Sequence, residues 1–310
     1  MKKLLLSSTL LVATAGVAAA DVSFSGIGRF GLDYDSSVSD SPYAHQKLRM
    51  SAIAKTETTS GMVVSGKVLF DTTAGRGTNT GSGYMTAAAF TASKGGALAE
   101  FGFASDVLDA GDIVRFGGHL VGFNPYLNQR RSLVGQDKYG MLNPELFDKP
   151  SRQAVRTRYF DDSGLRVSAS YAPSSDAYAE YWQAGVGYDL GAHKVGFVYG
   201  NNTANGDYWV IGADGRVGDF YYAAIASDSD MQDKVGFGAS GGYNLTSATS
   251  LRFAVSISGD GALSGSGAAP ENTWGIGLAH NLGGGVSLHV SGGQNERGSD
   301  VAQIGMLFRF

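Results

Sequence analysis

From residue 22 onward the chain alternates. In Val22–Tyr34, Phe24, Phe30, Leu32 and Tyr34 share one parity, while Ser23, Ser25, Arg29 and Asp33 share the other. Strict alternation over four to eight residues marks a strand whose two faces meet different surroundings. His45–Glu57 repeats the pattern, with Leu48, Met50, Ala52 and Ala54 against Lys47, Arg49, Ser51 and Lys55. Met62–Thr72 sets Val64, Val68 and Phe70 opposite Ser65, Lys67 and Asp71. Gly83–Lys94 alternates more weakly, and Gly95-Gly96 predicts a two-residue hairpin turn. Ala97–Ala104 places Ala99, Phe101 and Phe103 on its apolar face and Glu100 on the polar one. The rhythm returns at Ser151–Phe160, where Val155, Thr157 and Tyr159 oppose Arg152, Arg156 and Arg158, and it runs on to Asp300–Phe310. The pattern predicts about sixteen strands.

Between residues 105 and 150 the alternation stops. Asp106, Asp109 and Asp112 come first, then Gly117-Gly118, then Arg130-Arg131, with Asn124-Pro125 and Asn143-Pro144 as punctuation. So long a loop within a compact domain points to function or disorder. The other connections alternate in length. Short ones fall at 58–61, 95–96, 161–164, 190–192, 217–219, 245–249 and 283–285, and longer ones lie between them. An up-and-down barrel sorts its connections this way, turns at one rim and loops at the other. An even strand number also brings both mature ends to the turn side.

Composition sharpens this. The 310 residues include 46 Gly, 6 Pro and no Cys, with 17 % charged residues. The mean hydropathy of −0.07 is too polar for a helical membrane protein but suits a wall that is apolar outside and wet inside. Lys or Arg at a bilayer midplane costs roughly 2–4 kcal/mol, so the basic parity belongs to a water-filled bore. The apolar parity, with Trp182, Trp274, Phe24, Phe30, Phe101, Phe103, Tyr159 and Tyr188, then belongs to hydrocarbon. Residues 1–20 read as a secretory signal peptide: Lys2-Lys3, the apolar run Leu4–Val17, and the cleavage site Ala18-Ala19-Ala20. The mature domain is 21–310. The formal charge of −4 argues against nucleic acid as a partner. The lack of cysteine removes disulfides and thiol chemistry.

Here the chain resembles the general diffusion porins of Gram-negative outer membranes, closest to the alphaproteobacterial, Rhodobacter-type family. The resemblance rests on Arg29 in the opening strand, on the length of the third loop, and on the final strand. That strand ends Ile304-Gly305-Met306-Leu307-Phe308-Arg309-Phe310. It implies an all-β fold: a 16-stranded antiparallel up-and-down transmembrane β-barrel whose third loop (105–150) folds into the lumen as a constriction. It further implies a homotrimer in the cell outer membrane, reached through the periplasm, in contact with lipid and lipopolysaccharide. Phe310 and Phe308 would form the C-terminal signal read by the barrel-assembly machinery. The Pro-Glu-Phe-Gly-Gly loop tip of enterobacterial relatives is absent, Phe116-Gly117-Gly118 being a partial echo. The expected function is a water-filled channel for passive diffusion of small hydrophilic solutes and ions. The alternatives are a substrate-selective channel or an outer-membrane barrel enzyme.

Opposite charges across a narrow aqueous gap focus a transverse field. The basic half is expected from Arg29, Lys47, Arg49, Lys67, Arg156 and Arg158, with Arg152 and Arg166 on the same wall, and the acidic half from Asp106, Asp109 and Asp112. Arg130, Arg131 and Asp137 are expected to be exposed or at subunit contacts. Gly26–Gly31 and Gly236–Gly241 match G-x-G-x-x-G, and Gly238–Gly242 matches G-x-S-x-G, but all lie in alternating strands rather than before helices. Gly61–Lys67 approximates a phosphate-binding loop but is followed by Val68. The five histidines show no ligand spacing, so no catalytic or metal site is expected. No cofactor is expected either, beyond a structural calcium that Asp228-Ser229-Asp230 could hold in an outer loop.

Overall fold

The computed structural model describes residues 21–74, 84–133, 153–174, 179–204, 206–230, 232–259 and 271–310. The expected signal peptide lies outside them, as do Asp137, Asn143-Pro144 and Arg152. The first eight strands are β1 (Asp21–Asp35), β2 (Tyr43–Glu57), β3 (Val63–Ala74), β4 (Tyr84–Lys94), β5 (Ala97–Gly102), β6 (Ala154–Phe160), β7 (Leu165–Ala172) and β8 (Tyr181–Asp189). The next four are β9 (His193–Asn202), β10 (Gly206–Val217), β11 (Phe220–Ser229) and β12 (Gly236–Asn244). The last four are β13 (Thr249–Ile257), β14 (Thr273–Gly283), β15 (Val286–Gln294) and β16 (Asp300–Arg309). Each pairs antiparallel with its chain neighbour, and β1 pairs with β16, closing a barrel of sixteen strands. Among the described residues no helix is long and apolar enough to cross a membrane.

The two faces are inverted relative to a water-soluble protein. Arg29, Lys47, Asp71, Glu100, Arg156, Gln183, Ser256 and Gln303 are buried on the inner parity. Phe24, Phe30, Phe101, Trp182, Phe197, Trp274 and Ile304 stand exposed on the outer one. Each such side chain gains roughly 1.5–3 kcal/mol on leaving water, so this outer surface is stable against hydrocarbon. Closure leaves no unpaired edge, the condition for strands to span a bilayer.

The seam joining first and last strands has a local explanation. Gly28 lies opposite Phe308 in register, and Gly26 and Phe310 exchange backbone hydrogen bonds of 2.8 and 3.2 Å. A Cβ on Gly28 would overlap the Phe308 ring, and one on Gly26 would overlap Phe310. The two rings stack with centroids 6.0 Å apart. The Gly-Ile-Gly run that mimics a dinucleotide motif therefore seats the C-terminal aromatics on the outer wall.

One expected orientation is corrected. Phe103 does not continue the apolar face of Phe101. Gly102 takes φ 93°, which ends β5 and breaks the alternation. Phe103 then donates its N–H to Ala88 O at 2.8 Å, and its side chain joins Arg29 and Arg49 in lining a cavity. A glycine in the left-handed region leaves the extended path and lets the next residue turn to the other face.

Candidate functional site: the segment after β5 and the charged inner wall

Residues 103–133 leave β5 through a single helical turn, α1 (Val107–Ala110). Asp106 caps it, its carboxylate accepting the Asp109 N–H at 2.7 Å, and Gly111 closes it at φ 67°. The Leu108 N–H donates to Gln183 Oε1 at 3.1 Å. The segment then packs against inward-facing residues all round the wall. Ile113 and Val114 join a buried cluster with Val198, Tyr208, Val210 and Ile225. They sit over a row of glycines: Gly187 lies opposite Gly196, and Gly196 opposite Gly212. A Cβ at Gly196 would overlap the Ile113 carbonyl oxygen, and one at Gly212 would lie 2.5 Å from Val114 Cγ1. Farther round, Phe123 fills the space over the paired Gly31 and Gly305, and Leu127 sits on Gly275.

Polar contacts complete the attachment. His119 N–H donates to Ser240 Oγ at 2.7 Å, and Ser240 donates to Gln129 Oε1 at 2.8 Å. Ser132 N–H donates to Ser256 Oγ at 3.0 Å, and Asn124 Nδ2 donates to Asp33 Oδ2 at 2.8 Å. Strand glycines weaken a sheet; these offset that by giving the segment seats no side chain would leave open.

The sequence-predicted residues separate into three groups. Arg156, Arg158 and Asp112 meet directly: Asp112 pairs with Arg156 and, at 3.1 Å, with Arg158. Arg156 also pairs with Glu100 at 2.6 Å, Ser168 Oγ donates to Asp112 at 2.9 Å, and Arg166 donates to the Asp112 carbonyl at 2.8 Å. The Arg156 guanidinium, flanked by Asp112 and Glu100, serves as a clamp on the segment. Lys47 and Arg49 form a second group around Asp71, at 3.3 and 2.5 Å. In the third, Arg29, Arg49 and Lys67 line a cavity of about 440 Å³ with Asp109 and Arg130. Arg29 Nη1 donates to Phe123 O and Asn124 Oδ1, both at 3.3 Å. Asp106, at the helix cap, is not among that cavity's lining residues.

Arg130 was expected to be exposed or at a subunit contact. It is half-buried and lines this cavity, its guanidinium 5.8 Å from the Phe116 centroid. Arg131 pairs with Glu296 at 3.1 Å. Sequence reasoning left Asp71 and Glu100 out of the site. A usable signal existed: both lie on the charged parity, and register sets Asp71 opposite Arg49 and Glu100 opposite Arg156. Burial, then the nearby Arg115, lowers the His119 pKa to about 4. At the loop rim Asp207, Asp228, Asp230 and Asp233 line a pocket, where Asp230 accepts the Asp207 N–H at 2.9 Å. Among the described residues no group of three or more His, Asp or Glu is placed to hold a metal ion.

A closed sixteen-stranded wall, apolar outside and charged inside, defines a transmembrane β-barrel channel. The Gram-negative porin family model matches residues 7–300, and the chain belongs to that family. A mutant of Rh. blastica porin superposes with a TM-score of 0.68 at 19 % identity, covering 94 % of this chain and 100 % of that one. A triple mutant of Rhodopseudomonas blastica porin gives the same values. A structure titled for asymmetric conductivity of engineered proteins gives 0.69 at 18 % identity, with the same coverage. At such identities the likeness speaks for the fold. No curated protein sequence matches the chain significantly. As a family member the protein is an outer-membrane channel for passive diffusion in a Gram-negative bacterium, and its family and fold are those of non-enzymatic channels.

Proposed function

We propose that residues 103–133 fold into the lumen, narrow it, and leave a passage that favours small anions. The observation that carries this is the charge balance in the cavity beside the segment. Arg29, Lys67 and Arg130 line it against one acid, Asp109, while Arg49, also in the lining, is held by Asp71. Of the other two expected loop acids, Asp112 is taken up by Arg156 and Arg158, and Asp106 by the helix cap. Low-dielectric walls concentrate the resulting potential and raise the local anion concentration. The opposed charges read from the sequence give way here to a predominantly basic gate.

Ion selectivity tests it. Neutralising Arg29, Lys47 and Arg49 together is expected to move the reversal potential in a potassium chloride gradient towards cation preference. An unchanged value would remove these residues from the conduction path.

Residues 1–20 are removed as a secretory signal, and the mature chain assembles as a homotrimer among outer-membrane lipid and lipopolysaccharide. Phe308 and Phe310, on the outer wall at the seam, serve as the signal for the barrel-assembly machinery. No cofactor takes part.

A further inference from the structure

We infer that the short-turn end of the bore holds a binding site for anions of the phosphate class, built by Arg115, Arg216, Arg252 and Arg309. This rests on the reading of the barrel as an open channel and adds a ligand to it. The four arginines come from distant parts of the chain. Arg216 is the penultimate residue of β10, Arg252 the fourth of β13 and Arg309 the last of β16, so all three lie near the rim of short turns. Arg115 arrives from the segment after β5. Together they line a cavity of about 750 Å³, separate from the one around Arg29 and Lys67 except that both touch Leu120.

The charge in this cavity is one-sided. Asp214 is the sole acid along its lining, and its carboxylate stands 3.6 Å from Arg115 Nε, too long for a strong ion pair. Bringing four guanidinium groups to one cavity is unfavourable unless an anion joins them.

Two of the groups, Arg252 and Arg216, are also oriented by neighbours. Arg252 donates from Nε to Ser250 Oγ at 3.1 Å and from Nη1 to Leu120 O at 3.2 Å. The Arg216 guanidinium lies 5.8 Å from the Tyr221 centroid, and the His119 ring packs on the same tyrosine at 4.7 Å. Planar, pre-oriented guanidinium forks match phosphate oxygens two at a time, which a spherical chloride cannot exploit. The volume falls within the range of small-molecule sites, roughly 300–1,000 Å³. A second cavity of about 290 Å³ shares Arg252 and Arg309 and continues past Thr246, Ser247, Thr249 and Ser287. Its hydroxyl lining suits the polyol part of a phosphomonoester whose phosphate sits on the arginines. The ligand class is therefore a phosphate dianion, free or carried on a small hydroxylated molecule.

Planar-bilayer recording on the full mature protein tests this. Inorganic phosphate, glycerol phosphate and glycerol are added at pH 8 to potassium chloride at constant ionic strength. Both phosphates are expected to reduce the chloride current in a saturable way, more strongly from the short-turn side, and glycerol to have no effect. Tighter block by glycerol phosphate than by inorganic phosphate assigns the hydroxyl-lined cavity; equal block confines the site to the arginines. The Arg216→Gln, Arg252→Gln, Arg309→Gln variant should raise the half-blocking concentration at least tenfold while still opening in potassium chloride. The corresponding Lys variant keeps the charge and loses the forks, so it should also lose the block. Block by phosphate no stronger than its charge predicts, or equal block in the Lys variant, overturns the site in favour of diffuse attraction. Absence of current steps in plain potassium chloride would instead sink the channel reading itself.

Discussion

At the residue scale, Asp112 and His119 hold the segment in different ways. Asp112 answers Arg156, Arg158 and Ser168 at once, and its carboxylate is nearly sealed from water. Removing one partner of a buried pair strands the others, at a cost of about 3–5 kcal/mol. Arg158 is partly solvated, so the lower end applies to Asp112→Asn. The expected outcome is a noisier open-channel current and faster proteolysis within residues 103–133. Quiet, protected channels would show that the glycine seats alone suffice. His119 is expected to make the attachment pH-dependent. Its pKa falls from 6.5 to about 4 on seating, through burial first and Arg115 second. Between those values the displaced segment binds the additional proton, so seating weakens as pH drops from 6.5 towards 4. Current noise should rise over that window, and His119→Asn should flatten the dependence.

At the element scale, the strands are legible because a period of two with unlike faces has no other economical explanation. Asp21–Asp35 and Tyr43–Glu57 extend the expected strands by a residue or two, as uncapped strand ends do. What the strands carry on their inner face was harder to read. Gly185, Gly187 and Gly275 look in sequence like weak points that allow tilt and close contact, whereas they accept Ile113 and Leu127. Their role depends on a segment distant in the chain, to which a local pattern is blind. Gly196→Ala would press a Cβ against the Ile113 carbonyl. It should release the segment and broaden the single-channel conductance distribution, with the yield of closed barrel retained. At the seam, Gly28→Val displaces the Phe308 ring. It is expected to lower the yield of closed barrel, as is deletion of Phe310, while pores that do form conduct normally. A full yield of closed barrel would detach closure from this glycine–aromatic contact.

For the whole molecule, the chain itself determined the class. Alternation prescribes two-faced strands, and sorted connections prescribe up-and-down order. Basic residues cannot sit in hydrocarbon, so the polar face must turn inward on water. None of this needs to know which residues meet. Tertiary structure decided the rest, because charges on a closed wall find partners by register and by the path of the segment after β5, not by proximity in sequence. It joined Asp112 to Arg156 and Arg158, brought Asp71 to Lys47 and Arg49, and turned Phe103 inward at a left-handed glycine. It also gathered Arg115, Arg216, Arg252 and Arg309 at one mouth of the bore. Period and composition report what surface a residue faces; only three-dimensional closure reports which opposite charge, glycine seat or ligand it finds there.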